Sequence, residues 1–162
     1  ALPEAVEAIL HADVVVLGPG SLYTSIIPNL LIPGFVEALN KTSALVIYVC
    51  NVMTQPGETD GYSACDHVQA LLNHTGSPSM LDYVLVNRAR ISEQQVQKYA
   101  KEGAHPVQAD VDAIEKMGIK VHSADVLDQT NLVRHASHKL AEEILYLSEL
   151  HNKQKVNGNR AV

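Results

Sequence analysis

The sequence predicts an α/β domain built around a mostly parallel β-sheet, and three observations support this prediction. Short apolar runs alternate along the chain with segments of helical periodicity. The apolar runs are rich in β-branched residues, which is typical of strands that are buried on both faces of a parallel sheet. The length of 162 residues, with 46% hydrophobic and 19% charged residues, suits one domain with a substantial core.

Four apolar runs predict the main strands of this sheet. The predicted strands cover residues 13–17, 44–50, 81–86 and 119–122, and a further short strand is expected at residues 106–109. Because helical segments separate these runs, right-handed crossovers should connect parallel neighbours.

Helical periodicity and capping residues predict the connecting segments. The predicted helices cover residues 3–11, 22–27, 33–40, 61–74, 92–102 and 110–116, and a further strong helix is predicted within residues 134–149. We expect Pro28 to interrupt the second helix and Pro33 to open the third. Asp60 suits the N-cap of the fourth helix, and Ser92 suits that of the fifth. The polar residues 152–162 are expected to form a flexible tail.

Charge and composition argue against several classes of partner. The formal net charge is −6 and the sequence contains no dense run of Lys and Arg, so we expect no nucleic-acid partner. No apolar stretch approaches the ~20 residues that span a bilayer, so we expect no membrane insertion. Cys50 and Cys65 do not form a C-x-x-C pair, which favours the reduced cytoplasm. Exposed apolar helices make a homodimer a reasonable expectation.

The carboxyl ends of the predicted strands form the expected ligand-binding edge, since open parallel sheets bind their ligands there. Three loops follow these ends, at residues 18–25, 51–60 and 87–90. In the first loop, Gly18 and Gly20 allow tight turns and a close approach of the backbone to a ligand. Backbone N–H groups and the N-terminus of the next helix favour an anion there.

The first loop has the composition of a phosphate-binding turn but lacks a standard fingerprint. Pro19 shapes the loop without donating an N–H, whereas Ser21, Thr24 and Ser25 add hydroxyl groups. The G-x-G-x-x-G fingerprint needs a third glycine where Tyr23 stands, and G-x-x-x-x-G-K-[ST] does not occur. An ordinary strand-to-helix turn is therefore the alternative.

Amide and cationic side chains follow the other strands. Asn51, Thr54 and Gln55 could contact the edge of a base or sugar, because amides both donate and accept hydrogen bonds. Asn87 follows the third strand. Arg134 precedes the last long helix, where a guanidinium could pair with a phosphate. The alternative in each case is a solvated polar side chain.

Carboxylates near the fourth helix suggest a divalent cation beside a phosphate. The candidates are Glu58, Asp60 and Asp66, since Mg²⁺ and Ca²⁺ prefer oxygen ligands. Capping also explains Asp60, and a surface position explains Asp66. Zinc or serine hydrolysis is not supported, because neither an H-x-x-x-H pair nor a G-x-S-x-G elbow occurs.

Several motifs, taken together, resemble one family. They are DVVVLGPGSLYTSIIPNLLIPG at residues 13–34, VIYVCNVMTQPGETDGYSACDHVQAL at residues 46–71, LDYVLVN at residues 81–87 and LVRH at residues 132–135. This combination is similar to the YvcK-type gluconeogenesis factor family of the CofD-like superfamily, whose enzymatic member is 2-phospho-L-lactate transferase. The resemblance covers most of the chain except the final tail.

The resemblance implies a Rossmann-like, three-layer α/β fold. Members carry a G-G-G-T-G loop at the end of their first strand, and that loop does not occur in this sequence. We therefore expect residues 1–151 to be the C-terminal part of a single CofD-like domain, whose N-terminal glycine-rich βα unit lies outside this chain.

The resemblance also implies a ligand and its contacts. YvcK-type members bind uridine-diphosphate sugars such as UDP-N-acetylglucosamine, and they support cell shape and growth on gluconeogenic carbon sources. Transferase members handle a guanylylated phospholactate with Mg²⁺. The residues that would line the nucleotide and its phosphates are Gly18, Pro19, Gly20, Ser21, Thr24, Ser25, Asn51, Thr54, Gln55, Asn87 and Arg134. Asp60 would lie near any Mg²⁺.

Three hypotheses of function follow. The first is a regulatory protein that binds a nucleotide sugar without turnover, since no acid–base pair or nucleophile is recognisable and GPGSLYTS is the YvcK-type form. The second is a transferase that moves a phospho-group from a nucleotide donor with Mg²⁺, because such chemistry needs mainly positioning and charge neutralisation. The third is an interaction module with a vestigial site. Ala136 and Ser137 depart from the Asp-Pro helix start expected of the family, which makes Ser137 the candidate cap.

Overall fold

A four-stranded parallel sheet forms the centre of the computed structural model, which describes residues 1–128 and 132–158. The strands are β1 Val14–Leu17, β2 Leu45–Val49, β3 Tyr83–Asn87 and β4 Lys120–Ala124, in the spatial order β1-β2-β3-β4. Because all neighbouring pairs are parallel, the carboxyl ends of the four strands lie at one edge, as the sequence predicted.

Helices and helical turns connect these strands. The helices in the described part of the chain are α1 Pro3–Leu10, α2 Ile27–Leu30, α3 Phe35–Lys41, α4 Ala64–Thr75, α5 Glu93–Ala100, α6 Val111–Glu115 and α7 Ser137–Gly158. A π-helical turn, Leu22–Ile26, leads into α2, and a 3₁₀ turn, Pro78–Met80, precedes β3. Every predicted helix has a counterpart, although several ends differ.

Side chains of β2 alternate between two hydrophobic layers. Val46 and Tyr48 belong to a core that also contains residues of α2, α3, α4 and α6. Ile47 points to the other face, where it packs with Leu140 and Leu147 of α7. The sheet therefore lies between two layers of helices, and the predicted three-layer α/β fold is confirmed.

Two helices begin later than the sequence predicted. Asp60 is not the N-cap of α4; Ser63 occupies that position. The Oγ atom of Ser63 accepts a hydrogen bond from the Asp66 N–H at 3.2 Å, and Oδ2 of Asp66 accepts one from the Ser63 N–H at 2.8 Å. This reciprocal capping satisfies two otherwise unpaired donors. Pro33 does not open α3 either, because Gly34, with a left-handed φ of 94°, stands between them.

Pro28 does not interrupt the helical segment after β1. It occupies one of the first two positions of α2, where its missing N–H removes no intrahelical hydrogen bond. The segment consequently stays helical up to Leu30, and the side chain of Leu30 is buried in the core.

The residues just before the last helix form a small sheet, and the helix itself begins within residues 134–149 as predicted. Arg134–His135 is strand β6, and it pairs antiparallel with strand β5, Leu127–Asp128. The N–H of Ala136 donates to the carbonyl of Val126 at 2.8 Å, which continues this pairing. Ser137 is the first residue of α7, so it lies inside the helix rather than capping it from outside.

The last helix ends later than predicted. α7 continues through residues 152–158, for which the sequence predicts a flexible tail. Nζ of Lys155 donates a hydrogen bond to the carbonyl oxygen of Ser43, which ties this last part of α7 to the segment before β2. Residues 159–162 of the predicted tail lie outside the described residues.

No individual helix in residues 1–128 or 132–158 has the length and apolarity to cross a membrane. The segments Leu22–Leu30 and Phe35–Lys41 meet these requirements only as a pair, and a bend of 73° separates them. Buried side chains of this pair, such as Leu39, pack into the core beside β2.

Candidate functional site

The loop after β1 is packed too tightly for side chains at its two glycines. Gly18 has a φ of 95°, and a Cβ atom on it would lie 3.1 Å from the carbonyl oxygen of Val49. A Cβ atom on Gly20 would lie 3.1 Å from Cβ of Ser25 and 3.3 Å from Cδ1 of Ile26. Both glycines are therefore required locally, and the loop presents bare backbone at the edge of the sheet.

The π-helical turn that follows this loop begins at the edge of the sheet. The N–H groups of Ser25 and Ile26 donate to the carbonyl of Ser21, at 2.9 and 3.0 Å. The N–H groups of the residues just before them have no preceding helical carbonyl to bond, as at every helix start. Such groups favour an anion, and π-helical turns are frequent at functional sites.

The loop after β2 is fastened to the segment that precedes α6. The N–H of Thr54 donates to the carbonyl of His105 at 2.7 Å, and Oγ1 of Thr54 accepts from the His105 N–H at 2.8 Å. The N–H of Val107 donates to the carbonyl of Val52 at 3.0 Å. Because the Thr54 side chain is buried and its hydroxyl oxygen accepts from the backbone, it holds the loop in place, and its contact with a ligand stays a prediction.

Glu58 joins the first loop to the second. The hydroxyl of Ser21 donates to Oε2 of Glu58 at 2.6 Å, and Nε2 of Gln55 donates to Oε1 at 3.3 Å. Oγ of Ser21 and Oγ1 of Thr24 are 2.5 Å apart. The sequence identified Glu58 only as a candidate cation ligand; the neighbouring positions of β1 and β2 in a parallel sheet are the signal that connects it to Ser21.

The three candidate carboxylates do not converge. Oδ2 of Asp60 accepts a hydrogen bond from the Gly57 N–H at 2.8 Å, and Asp66 caps α4. The described residues include no group of three or more His, Cys, Asp or Glu side chains that could hold a metal ion. One exposed carboxylate such as Asp60 suits Mg²⁺ where the phosphates of a ligand supply further oxygens. The involvement of Asp60 in binding Mg²⁺ stays a prediction.

A small cavity lies at the carboxyl ends of β2 and β3. Its volume is about 150 Å³, and Asn51, Asn87, Cys50 and Ile91 are among its lining residues. The Oδ1 atom of Asn51 is buried and has no hydrogen-bond partner, whereas Asn87 bonds the backbone of Ala89 with both its amide groups. Buried polar atoms are nearly always paired, so a ligand that donates to Asn51 would complete this cavity.

Arg134 borders a larger groove together with the first loop. This groove, of about 520 Å³, is lined by Pro19, Gly20, Arg134, His135, Ser137, Leu140, Ala141 and Ile144. The Arg134 side chain is 65% exposed, and its Nε donates to Oδ2 of Asp128 at 3.2 Å. Arg134 also lines a second groove of about 550 Å³, whose lining includes Lys139. The groove thus combines bare backbone, a guanidinium and the N-terminus of a long helix.

His135 connects the start of α7 to the centre of the sheet. Its Nε2 lies 3.2 Å from the carbonyl oxygen of Cys50, to which it donates a hydrogen bond. Burial lowers the pKa of His135, so the imidazole is neutral around neutral pH. Burial also raises the pKa of the Cys50 thiol to about 12, so this cysteine stays protonated. The sequence did not identify His135 as a site residue.

The structure thus brings most of the predicted residues to one edge of the sheet. Gly18, Pro19, Gly20 and Arg134 border or adjoin the large groove, and Asn51 and Asn87 line the small cavity. Ser21, Thr24 and Gln55 meet at Glu58 instead.

Comparison with known proteins matches residues 1–127 to the family model described as 2-phospho-L-lactate transferase CofD. The chain is 48% identical over 145 residues to a gluconeogenesis factor of Halalkalibacterium halodurans, covering 89% of this chain and 45% of that protein. It is 44% identical over 147 residues to the gluconeogenesis factor of Bacillus subtilis, covering 90% and 46%.

A solved structure has the same fold. A member of the UPF0052 family from Bacillus halodurans superimposes with a TM-score of 0.86 at 47% identity, covering 89% of this chain and 46% of that one. The chain therefore spans less than half the length of the relatives it matches.

Proposed function

The chain belongs to the CofD family, and from this premise we propose that it forms the phosphate-binding part of a regulatory factor that binds a nucleotide sugar. A uridine-diphosphate sugar, such as UDP-N-acetylglucosamine, is the proposed ligand. The proposed role is that of a gluconeogenesis factor, in support of growth on gluconeogenic carbon sources and of cell shape. Similarity to several gluconeogenesis factors supports this role.

The groove between the first loop and α7 carries this proposal. It joins the backbone of Pro19 and Gly20 to the guanidinium of Arg134 at the N-terminus of α7. Bare backbone allows a diphosphate to approach closely, and Arg pairs with phosphate oxygens through two parallel hydrogen bonds. The helix N-terminus adds a favourable partial positive charge. We propose that the diphosphate lies in this groove.

The small cavity is the proposed position of the base. Asn51 and Asn87 supply amide groups, which can pair with the mixed donors and acceptors of a nucleobase edge. The unpaired Oδ1 of Asn51 suits an N–H donor. Apolar neighbours such as Val52 and Ile91 suit the faces of a ring.

We propose binding without turnover as the primary activity. A nucleophile needs a lowered pKa or an adjacent base. Cys50, whose thiol is the buried candidate closest to the cavity, has its pKa raised to about 12 by burial instead. The Nε2–H of His135 already donates a hydrogen bond to the carbonyl oxygen of Cys50.

A transferase activity is the second candidate, because the matching family model is that of 2-phospho-L-lactate transferase. In that case, the groove would hold a nucleotide donor, and Asp60 would be a ligand of Mg²⁺ beside its phosphates. The Asp60 carboxylate is exposed and lies on the same loop as Glu58, which supports this alternative. Asp60→Asn would then abolish turnover.

Titration calorimetry on the full-length protein tests the proposal. We expect saturable binding of UDP-N-acetylglucosamine with no product, and no binding of GDP. A preference for GDP, or Mg²⁺-dependent turnover of a nucleotide donor, would favour the transferase. If neither nucleotide binds, the ligand site is vestigial and the chain acts as an interaction module. The proposal places the protein in the cytoplasm, where the free thiols of Cys50 and Cys65 stay reduced.

A further inference from the structure

Two hydroxyl groups of the first loop, those of Thr24 and Ser21, form a chain of hydrogen bonds that ends at Glu58. Ser21 has one hydroxyl proton, and it donates this proton to Oε2 of Glu58 at 2.6 Å, since an ionised carboxylate only accepts. Thr24 lies 2.5 Å from the same Ser21 oxygen, so the Thr24 hydroxyl must be the donor in that pair. Neither hydroxyl therefore has a proton left to give to a phosphate oxygen.

Glu58 itself retains capacity to accept. A carboxylate has about four acceptor positions. The Ser21 hydroxyl and the Gln55 amide occupy one on each oxygen of Glu58. About two positions are left for a ligand, and Glu58 is only partly buried, so a ligand can reach them. This cluster of Ser21, Thr24, Gln55 and Glu58 presents acceptors and a negative charge.

The charge of this cluster contrasts with that of the groove. Gly20 lines the groove beside Arg134 and the start of α7, whereas Ser21, the next residue, is bonded to Glu58. A phosphate is attracted to the first environment and repelled by the second. The donors that a nucleotide sugar can offer to a carboxylate include the neighbouring hydroxyl groups of its ribose and of its hexose.

We infer that Glu58 is a specificity-determining residue that accepts hydrogen bonds from a pair of neighbouring hydroxyl groups on the ligand. This inference rests on the proposed binding of a nucleotide sugar, and it separates the site into a phosphate part and a hydroxyl part. Ser21 and Thr24 then orient Glu58 and do not donate to the diphosphate. The diol belongs to the ribose or to the hexose, and both present the same chemistry.

The variant Glu58→Gln tests this inference, because the inference predicts that its affinity for UDP-N-acetylglucosamine falls rather than rises. Gln has the same shape but no charge, so it weakens hydrogen bonds from hydroxyl donors and removes any repulsion of phosphates. Hydrogen bonds to charged groups contribute enough for us to expect UDP-N-acetylglucosamine to bind about 10- to 100-fold more weakly. Unchanged or tighter binding would overturn the inference, because it would mean that Glu58 lies beside the phosphates.

Three further ligands distinguish the sources of the diol. If Glu58→Gln lowers the affinity for UDP as much as that for UDP-N-acetylglucosamine, and leaves the affinity for 2′-deoxy-UDP unchanged, Glu58 binds the diol of the ribose. If only the affinity for UDP-N-acetylglucosamine falls and that for UDP is unchanged, Glu58 binds the diol of the hexose. Inorganic pyrophosphate has no hydroxyl donor of this kind, and we expect the variant to bind it equally well or more tightly. An equal loss of affinity for pyrophosphate would overturn the inference, since Glu58 would then support the phosphate-binding part of the site.

Two controls keep the result interpretable. Glu115→Gln makes the same change of charge at an exposed position of α6, and it should leave every affinity unchanged. If Glu58→Gln does not fold, Glu58→Asp replaces it, because it keeps the charge but withdraws the carboxylate by one methylene group. It should lower the affinity for UDP-N-acetylglucosamine and leave the affinity for pyrophosphate unchanged. If wild-type protein binds UDP-N-acetylglucosamine and Glu58→Gln binds it equally tightly, the role of Glu58 alone is refuted. Wild-type protein that binds no nucleotide refutes the proposed function, and the inference with it.

Discussion

The imidazole of His135 donates a hydrogen bond to the carbonyl oxygen of Cys50 over 3.2 Å, although 85 residues separate the two in the chain. This contact ties the start of α7 to the carboxyl end of β2. It therefore fixes the position of Arg134, the preceding residue, relative to the loops that surround the proposed ligand. The site is thus built from segments at both ends of the chain.

We expect the protein to lose stability in mild acid, because the fold lowers the pKa values of two histidines. Burial lowers the pKa of His67 and of His135 below the ordinary value of 6.5. Below pH 6.5 the unfolded state therefore takes up protons that the folded state does not, so the free energy of unfolding falls as the pH falls. The decline ends at the lowered pKa values. Each histidine contributes a slope of at most ~1.4 kcal/mol per pH unit.

Urea unfolding between pH 7.5 and pH 5 measures this effect. His67→Asn and His135→Asn should each flatten the slope below pH 6.5. Stability that rises towards pH 5 in the wild type would contradict the prediction.

Gly20→Val should abolish binding of UDP-N-acetylglucosamine. Even the Cβ atom of the new side chain would lie 3.1 Å from Cβ of Ser25, so the loop has to move out of its position beside the groove. Such overpacking typically costs ~1–3 kcal/mol of stability. Calorimetric titration and thermal unfolding measure the two effects.

Gly118→Ala is the matched control for this variant. It has a φ of 84° and no atoms within 4 Å of an added Cβ, so it should cost ~1 kcal/mol of stability through backbone strain alone. Its affinity for the nucleotide should equal that of the wild type. A Gly20→Val protein that still binds as tightly as Gly118→Ala would refute the role of the first loop.

Arg134→Gln should weaken binding of a nucleotide diphosphate by roughly tenfold or more, because charge-assisted hydrogen bonds to the phosphates are lost. Stability should change by ~1 kcal/mol or less, since the Arg134 side chain of the ion pair is 65% exposed, although that of Asp128 is only 19% exposed. Added salt should lower the nucleotide affinity of the wild type more than that of the variant. The control Lys101→Gln removes a positive charge at the exposed end of α5, which lines neither the groove nor the small cavity, and it should bind normally. Equal affinities of the two variants would contradict the prediction.

Ser63→Ala should lower the free energy of unfolding by ~1 kcal/mol, because it removes the hydroxyl that caps α4. Asp60→Ala should cost less, since Asp60 bonds only the exposed N–H of Gly57 within its own loop. Chemical denaturation of both variants measures the difference. A larger loss for Asp60→Ala would mean that Asp60 supports α4 in a way that its contacts do not indicate.

The core of the fold was predictable because its signals are local. The run of β2 is apolar at every position, and its residues alternate between two helical layers as a buried parallel strand requires. Ser92 also caps α5 as its spacing to Gln95 predicts. Such elements depend on periodicity and capping within a few residues.

The parts that were not predicted depend on contacts between distant segments. β5 and β6 have only two residues each, so no periodicity distinguishes them, and pairing with each other makes them strands. The roles of Glu58 and His135 arise from neighbours 37 and 85 residues away. At α4 the sequence predicted Asp60 as the cap, but Ser63 takes that position because its pairing with Asp66 satisfies two backbone N–H donors at once.

The central claim is that the diphosphate of a nucleotide sugar lies between the first loop and the start of α7. A crystal structure of the full-length protein with UDP-N-acetylglucosamine measures this most directly. We predict phosphate oxygens within hydrogen-bond distance of the Gly20 backbone and of the Arg134 guanidinium. A bound nucleotide whose phosphates lie elsewhere, away from both groups, would contradict the account.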